Sequence, residues 1–174
     1  MNASAAHLPR SPEMVLLLRC VSPVPGTVEI AVVDWPRFQA LATHHHLLPL
    51  AYRGLKLAAA AGAAVPPEWL TLFKRQAHDI AAFNLRATGI LRRLQRRARE
   101  QDVVLIPVKG PALAVWAYGS TSLRQFEDLD LVVRQDELLQ AIGLLEQEGY
   151  RLRELRPGAD RHRYLASQQD WSLQ

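Results

Sequence analysis

The residues with the clearest capacity for chemistry are Asp128 and Asp130, separated by Leu129 and followed by Leu131, Val132 and Val133. On an extended chain, side chains two apart share a face, so the two carboxylates face one way and Leu129 and Leu131 the other. Adjacent like charges repel, and a divalent cation relieves the repulsion. Mg²⁺, or Mn²⁺ in its place, takes one or two carboxylates and completes its shell with water and substrate phosphates. In phosphoryl and nucleotidyl transfer such an ion neutralises phosphate oxygens. By itself an Asp-x-Asp pair is also what the exposed edge of a strand often carries, so the reading depends on its surroundings.

Upstream, Val108-Lys109-Gly110 falls where an apolar run gives way to a helix opening with Pro111. Glycine lets backbone N–H groups approach a phosphate at a helix N-terminus, and Lys109 adds a point charge for a triphosphate. Arg124, four residues before Asp128, places a guanidinium where it can pair with the carboxylates or hold a phosphate oxygen. The candidate set is therefore Asp128 and Asp130 as catalytic and metal-binding residues, with Lys109, Gly110 and Arg124 holding phosphate. Read blandly, Gly110 makes a tight turn and Lys109 and Arg124 are solvated.

Other conspicuous groups carry less. His44, His45 and His46 are successive, so on a helix they diverge by about 100° each and cannot face one ion. His162 has no partner at ligand spacing. Trp35, Trp69, Trp116 and Trp171 lie within apolar patterns and read as core or domain-contact residues. Eight basic residues, Lys74, Arg75, Arg86, Arg92, Arg93, Arg96, Arg97 and Arg99, hold much of an excess of 21 Lys and Arg over 17 Asp and Glu. That concentration suits phosphate-rich ligands or nucleic acid. No aromatic residues interleave with Arg92 to Arg99, which favours a solvated helix face.

These groups need elements to position them. Met1 to Ser11 lacks any apolar period and reads as a flexible leader. Pro12 to Cys20 reads as a helix capped by Ser11 and closed by Pro23, Pro25 and Gly26; a second helix starts at Asp34 and a third follows Pro49. After Pro66-Pro67, apolar or small residues from Trp69 to Ala98 recur three or four apart, interrupted at Asn84, as in one long amphipathic helix. Val103 to Ile106 is a β-branched apolar run that suits a buried strand, and Ala112 to Tyr118 a short helix. Leu129 to Val133 reads as a second strand, Glu137 to Gln147 as a helix capped by Gly149, and Tyr150 to Leu155 as a third strand. Arg163 to Ala166 and Trp171 to Leu173 read as two further short strands. The division expected is a leader over 1–11, a helical region over 12–101, and an α/β core over 102–174. Leu173-Gln174 falls mid-strand, so the chain is expected to be part of a longer protein with an incomplete core.

A single cysteine, Cys20, makes no internal disulfide and fits a reducing compartment; the run Met14 to Leu18 is too short to span a bilayer. A soluble cytoplasmic protein without membrane attachment is expected. Composition does not specify its oligomeric state.

Taken together, Leu105-Ile106-Pro107-Val108-Lys109-Gly110, Ala112-Leu113-Ala114, Tyr118-Gly119, Leu123-Arg124 and Glu127-Asp128-Leu129-Asp130-Leu131-Val132-Val133 resemble an uncharacterised bacterial nucleotidyltransferase-like family of the polymerase beta nucleotidyltransferase superfamily. Upstream, Asp34-Trp35, the segment His44 to Leu50, Pro67 and Asn84-Leu85 are similar to it as well. The resemblance implies an α+β fold: a helical N-terminal half packed on a small mixed sheet, a glycine turn for the nucleotide phosphates, and a metal on the Asp pair. It implies a nucleoside triphosphate as substrate and an unspecified hydroxyl acceptor, whether small molecule, protein or RNA. Two departures stand out. The superfamily usually has Gly-Ser after the first strand, where this chain has Lys109-Gly110; its Gly119-Ser120 lies beyond the following helix and reads as a turn. The third carboxylate that such enzymes draw from a later strand has only Glu154 and Asp170 as candidates here. Two alternatives stay open: a non-catalytic descendant that binds nucleotide or a partner, and a basic-helix module that binds nucleic acid through Arg92 to Arg99.

Overall fold

The computed structural model describes residues 11–22, 32–153 and 172–173. Among these are six α-helices and a two-stranded antiparallel sheet, so the architecture is mostly helical and only marginally α+β. The chain resolves into two compact units. The first takes in residues up to Thr88 and the excursion Val108–Asp130; the second takes in Gly89–Pro107 and the chain from Leu131 onward.

In the first unit, α1 (Pro12–Val21) begins where the Ser11 hydroxyl accepts the Met14 N–H at 3.3 Å, and α2 (Trp35–His44) where Asp34 accepts from the Arg37 N–H at 3.0 Å. Both have proline in the first turn, where its missing N–H costs nothing. These helices pack with α3 (Leu48–Ala60) and the first turns of α4 (Pro67–Arg99) around Leu16, Leu17, Cys20, Phe38, Ala42, Leu48, Ala51, Leu55 and Phe73. Phe38 and Phe73 rings meet at 5.4 Å, and Trp35 stacks on Trp69 at 6.2 Å, as the apolar patterns suggested. Trp116 departs from that expectation: it is 84 % exposed, because α5 (Gly110–Tyr118) is apolar on every side and buries only one of them, through Ala114. Trp171 lies outside the described residues.

Gly54 fixes how closely α1 and α3 approach. A Cβ there would meet the Cα and Cβ of Cys20 and its carbonyl oxygen at 2.6 Å, so no larger residue fits without moving backbone. Cys20 is buried, and desolvation pushes its thiol up to about 12, which leaves a neutral, unreactive packing group. One carboxylate, Glu13, is also buried. It accepts the Asp34 N–H at 3.2 Å and lies 3.6 Å from the Arg37 guanidinium, tying α1 to the start of α2. The Ser11 hydroxyl, the Asp34 N–H and Arg37 together hold its pKa below the usual carboxylate value.

In the second unit, the end of α4 and α6 (Leu138–Gln147) enclose Leu94, Ala98, Val103, Leu105, Ala141 and Leu144. Arg93 and Arg97 both reach Glu148, at 3.0 and 3.3 Å. Gly149, at φ +96°, closes α6 as expected, and the Tyr150 N–H returns to the Leu145 carbonyl. The sheet is smaller than the sequence suggests. β1 is Ile106–Pro107 and β2 is Leu131–Val132, with Ile106 opposite Val132 and Pro107 opposite Leu131. The expected buried strand over Val103 to Ile106 alternates instead: Val103 and Leu105 are buried, Val104 and Ile106 exposed, because helices cover one face only. The mixed sheet implied by the resemblance is likewise replaced, among the described residues, by this antiparallel pair and one isolated bridge between Leu152 and Leu173. Glu154, His162, Asp170 and the strand expected over Arg163 to Ala166 lie outside the described residues. Among the described residues no helix is long and apolar enough to cross a membrane.

Two consequences can be measured. Gly54→Ala is expected to lower unfolding free energy by about 1–3 kcal/mol, through overpacking against backbone, in a urea titration. A carboxylate whose folded pKa is lowered contributes stability above its unfolded pKa and loses it as pH falls through the folded value. Glu13→Gln is therefore expected to flatten the acid limb of thermal stability against pH, and an unchanged acid limb would contradict the assignment.

Candidate functional site

The two strands deliver the candidate residues to each other. One step beyond the Pro107–Leu131 pair, the Val108 N–H donates to the Asp130 carbonyl at 3.1 Å. The chain then turns into α5 through Lys109 and through Gly110, which has φ +52°. That left-handed conformation is open to glycine at little cost. It brings Gly110 against the following segment: a Cβ on it would lie 3.5 Å from the Asp128 carbonyl and 3.8 Å from Phe126 Cδ2. The Lys109 ammonium sits 3.5 Å from Asp130 Oδ2, with both side chains partly exposed. Thus Lys109 lies beside the Asp130 carboxylate and Gly110 beside the Asp128 backbone.

The details differ from the expected strand edge. Strand pairing begins only at Leu131, so Asp130 is anchored by its backbone while Asp128 stands in a bend just ahead of it. The Asp128 carboxylate is exposed and, among the described residues, has no ion pair or hydrogen bond; Asp130 is only partly exposed. Two carboxylates close in sequence, one without an ion pair among the described residues and one balanced by an exposed lysine, could hold Mg²⁺ with water and phosphate completing its shell. Among the described residues no three His, Cys, Asp or Glu side chains come together. His44 ends α2, His45 caps it, and His46 has φ +55°.

Arg124 pairs with neither carboxylate. It follows the 3₁₀ turn Thr121–Leu123, and its Nη1 is buried without a hydrogen-bond partner among the described residues. A buried guanidinium N–H without an acceptor is costly, and an anionic ligand would supply one. Gly119 caps α5 at φ +68° and Ser120 caps the 3₁₀ turn, so Gly119-Ser120 is a turn, as read.

Sequence reasoning missed Asn84, which it treated as an interruption in the apolar face of the long helix. Asn84 is fully buried, and its Nδ2 donates to the carbonyls of Thr121 at 2.6 Å and Arg124 at 2.8 Å. The available signal was a lone amide on an otherwise apolar helical stripe. The basic end of α4 also differs from a free cationic surface. Arg93 and Arg97 are engaged by Glu148, and Arg97 also by Glu100, leaving Arg92, Arg96 and Arg99 without ion pairs among the described residues.

With this geometry in place, the comparison with known families is direct. A family model described as uncharacterised nucleotidyltransferase matches residues 31–171, and the chain belongs to that family. No curated protein and no solved structure matches the chain.

The Gly110 turn gives a test of local geometry. Gly110→Ala is expected to cost about 1–2 kcal/mol for a Cβ at positive φ, whereas Gly110→Asn, which tolerates that region, should cost less. Equal destabilisation in chemical denaturation would contradict a conformational origin.

Proposed function

We propose that the protein is a metal-dependent nucleotidyltransferase that moves a nucleotidyl group from a nucleoside triphosphate to a hydroxyl acceptor. The observation that carries the reading is the apposition of the Lys109-Gly110 turn to the Asp128 and Asp130 segment in a member of this family. In such a transfer the acceptor oxygen bonds to the α-phosphorus, the bond to pyrophosphate breaks, and the hydroxyl proton is lost. Asp128 and Asp130 would hold Mg²⁺ or Mn²⁺, which supplies charge neutralisation on the phosphate oxygens.

The chain's own cations have a matching task. Lys109 balances Asp130 in the chain alone; once that carboxylate is engaged elsewhere, the ammonium is free for a phosphate oxygen. The N–H groups at the start of α5, beside Gly110, face the same need, since α5 has no side-chain cap. The Arg124 guanidinium, whose buried Nη1 has no partner among the described residues, would be a third donor, of the planar kind that matches phosphate. Three donor types and a carboxylate pair in one short stretch answer the charge distribution of a metal-bound triphosphate. A nucleic-acid role for the Arg92 to Arg99 face gains less support, because Glu148 already engages two of its arginines.

Titrating ATP in the presence of Mg²⁺ tests the proposal. Asp128→Asn/Asp130→Asn is expected to weaken binding by roughly tenfold or more, about 1.4 kcal/mol, without lowering the unfolding midpoint. Transfer of label from α-³²P-ATP to a hydroxyl acceptor would mark an enzyme. Metal-dependent binding without transfer by any longer natural form of the chain would mark a non-catalytic descendant, and unaltered binding by the double variant would sink the Asp assignment.

A further inference from the structure

Asn84 sits in the interior of α4, where asparagine is a poor helix former, and it is fully buried, where an amide without partners is costly. Its position is explained by what its amide nitrogen does, while its Oδ1 is buried without a hydrogen-bond partner among the described residues. Both hydrogens of Nδ2 are used, one on the Thr121 carbonyl and one on the Arg124 carbonyl. Those carbonyls stand at the two ends of the 3₁₀ turn Thr121–Leu123, so one side chain closes the turn from first residue to cap. Because both groups facing it are acceptors, the nitrogen must point at the turn; no flipped amide satisfies them.

The neighbouring residue adds a second hold. The Phe83 ring meets Phe126 edge-on at 6.2 Å, and Phe126 in turn lies beside Gly110. One point on α4 therefore grips the chain at 121, 124 and 126, on the stretch that carries Arg124 and runs directly into Asp128. Without the amide bonds, the backbone of Arg124 would be free to rotate, and its guanidinium with it.

We propose that Asn84 is a positioning residue for the nucleotide site, holding the 121–124 turn so that Arg124 and the Asp pair meet the phosphates in one arrangement. The proposal rests on the nucleotidyl-transfer reading for its ligand. Its local part, the latch on the turn, stands independently of that reading.

The test uses the full chain with Asn84→Leu, which keeps the branching and removes both donors, and Asn84→Asp, which keeps shape and sets an oxygen against two carbonyls. By hydrogen exchange, residues 119–130 are expected to exchange roughly tenfold faster in either variant, with α1 to α3 unchanged. In Mg²⁺–ATP titrations, Asn84→Leu and Arg124→Ala should each weaken binding about tenfold, and the double variant should fall short of the product of the two, since Asn84 acts through Arg124. Multiplicative effects would show that Asn84 does not act through Arg124 and would overturn the positioning role. Unchanged exchange over 119–130 in a folded variant would overturn the latch. If both variants fail to fold, Asn84 supports the whole helical unit and the positioning role is again overturned. Should the unsubstituted protein not bind Mg²⁺–ATP, the nucleotide reading fails by itself, and the exchange result still decides the latch.

Discussion

The antiparallel return of Asp130–Val132 along Ile106–Val108 is the constraint on which the candidate site depends. Lys109 and Asp128 are nineteen positions apart in sequence, with α5 and a 3₁₀ turn between them. Only the register that sets Ile106 against Val132 carries the Lys109-Gly110 turn to the carboxylates. A slip by one residue would reverse the faces of the whole segment, moving Leu131 and Val133 off the core and Asp130 away from Lys109. The burial of Leu105 and the packing of Leu131 and Val133 against the same core therefore set the register of this pair.

A two-residue ladder is too short to hold such a register unaided, and the structure supplements it with side-chain hydrogen bonds to the backbone. Glu137 accepts the Val104 N–H at 3.0 Å, and Gln95 donates to the Leu105 carbonyl at 3.2 Å, so both sides of the chain entering β1 are tied down. Asn84 performs the equivalent service for the segment that leads to Asp128. The Gln95 and Asn84 bonds lie in partly buried surroundings, where leaving the backbone group unmet would cost more than the bond itself returns, whereas the Glu137 bond is exposed. The short strands are thus compatible with a defined site, because side chains of α4 take over part of the pairing that longer strands would give.

The helical part of the first unit follows a different logic. Its order comes from close contact, with Gly54 against Cys20 and the ring cluster of Trp35, Phe38, Trp69 and Phe73, and from one buried carboxylate, Glu13, that joins α1 to α2. These helices pack against the first turns of α4, the helix that also carries Asn84.

Much of this was legible from residue types alone. Ser11, Asp34 and Gly149 announce helix ends because capping is local: the side chain or backbone that satisfies a terminal group lies within a few residues of it. The long period from Trp69 to Ala98 marks α4, and Asp128, Asp130, Lys109 and Gly110 identify themselves as a candidate site by charge and spacing. Strand extent was not legible, since a run such as Val103 to Ile106 pairs only as far as a partner and a covering face exist, and both are supplied from elsewhere in the chain. Nor was the direction taken by Trp116, because an evenly apolar helix does not say which side it buries. Asp128 and Asp130 could be picked out by sequence; tertiary structure decided that Lys109 stands beside Asp130, that Arg124 Nη1 has no hydrogen-bond partner among the described residues, and that Asn84 is bonded to the turn before them. Those are contacts between residues roughly twenty to forty positions apart, and only the folded chain brings such residues within hydrogen-bonding distance.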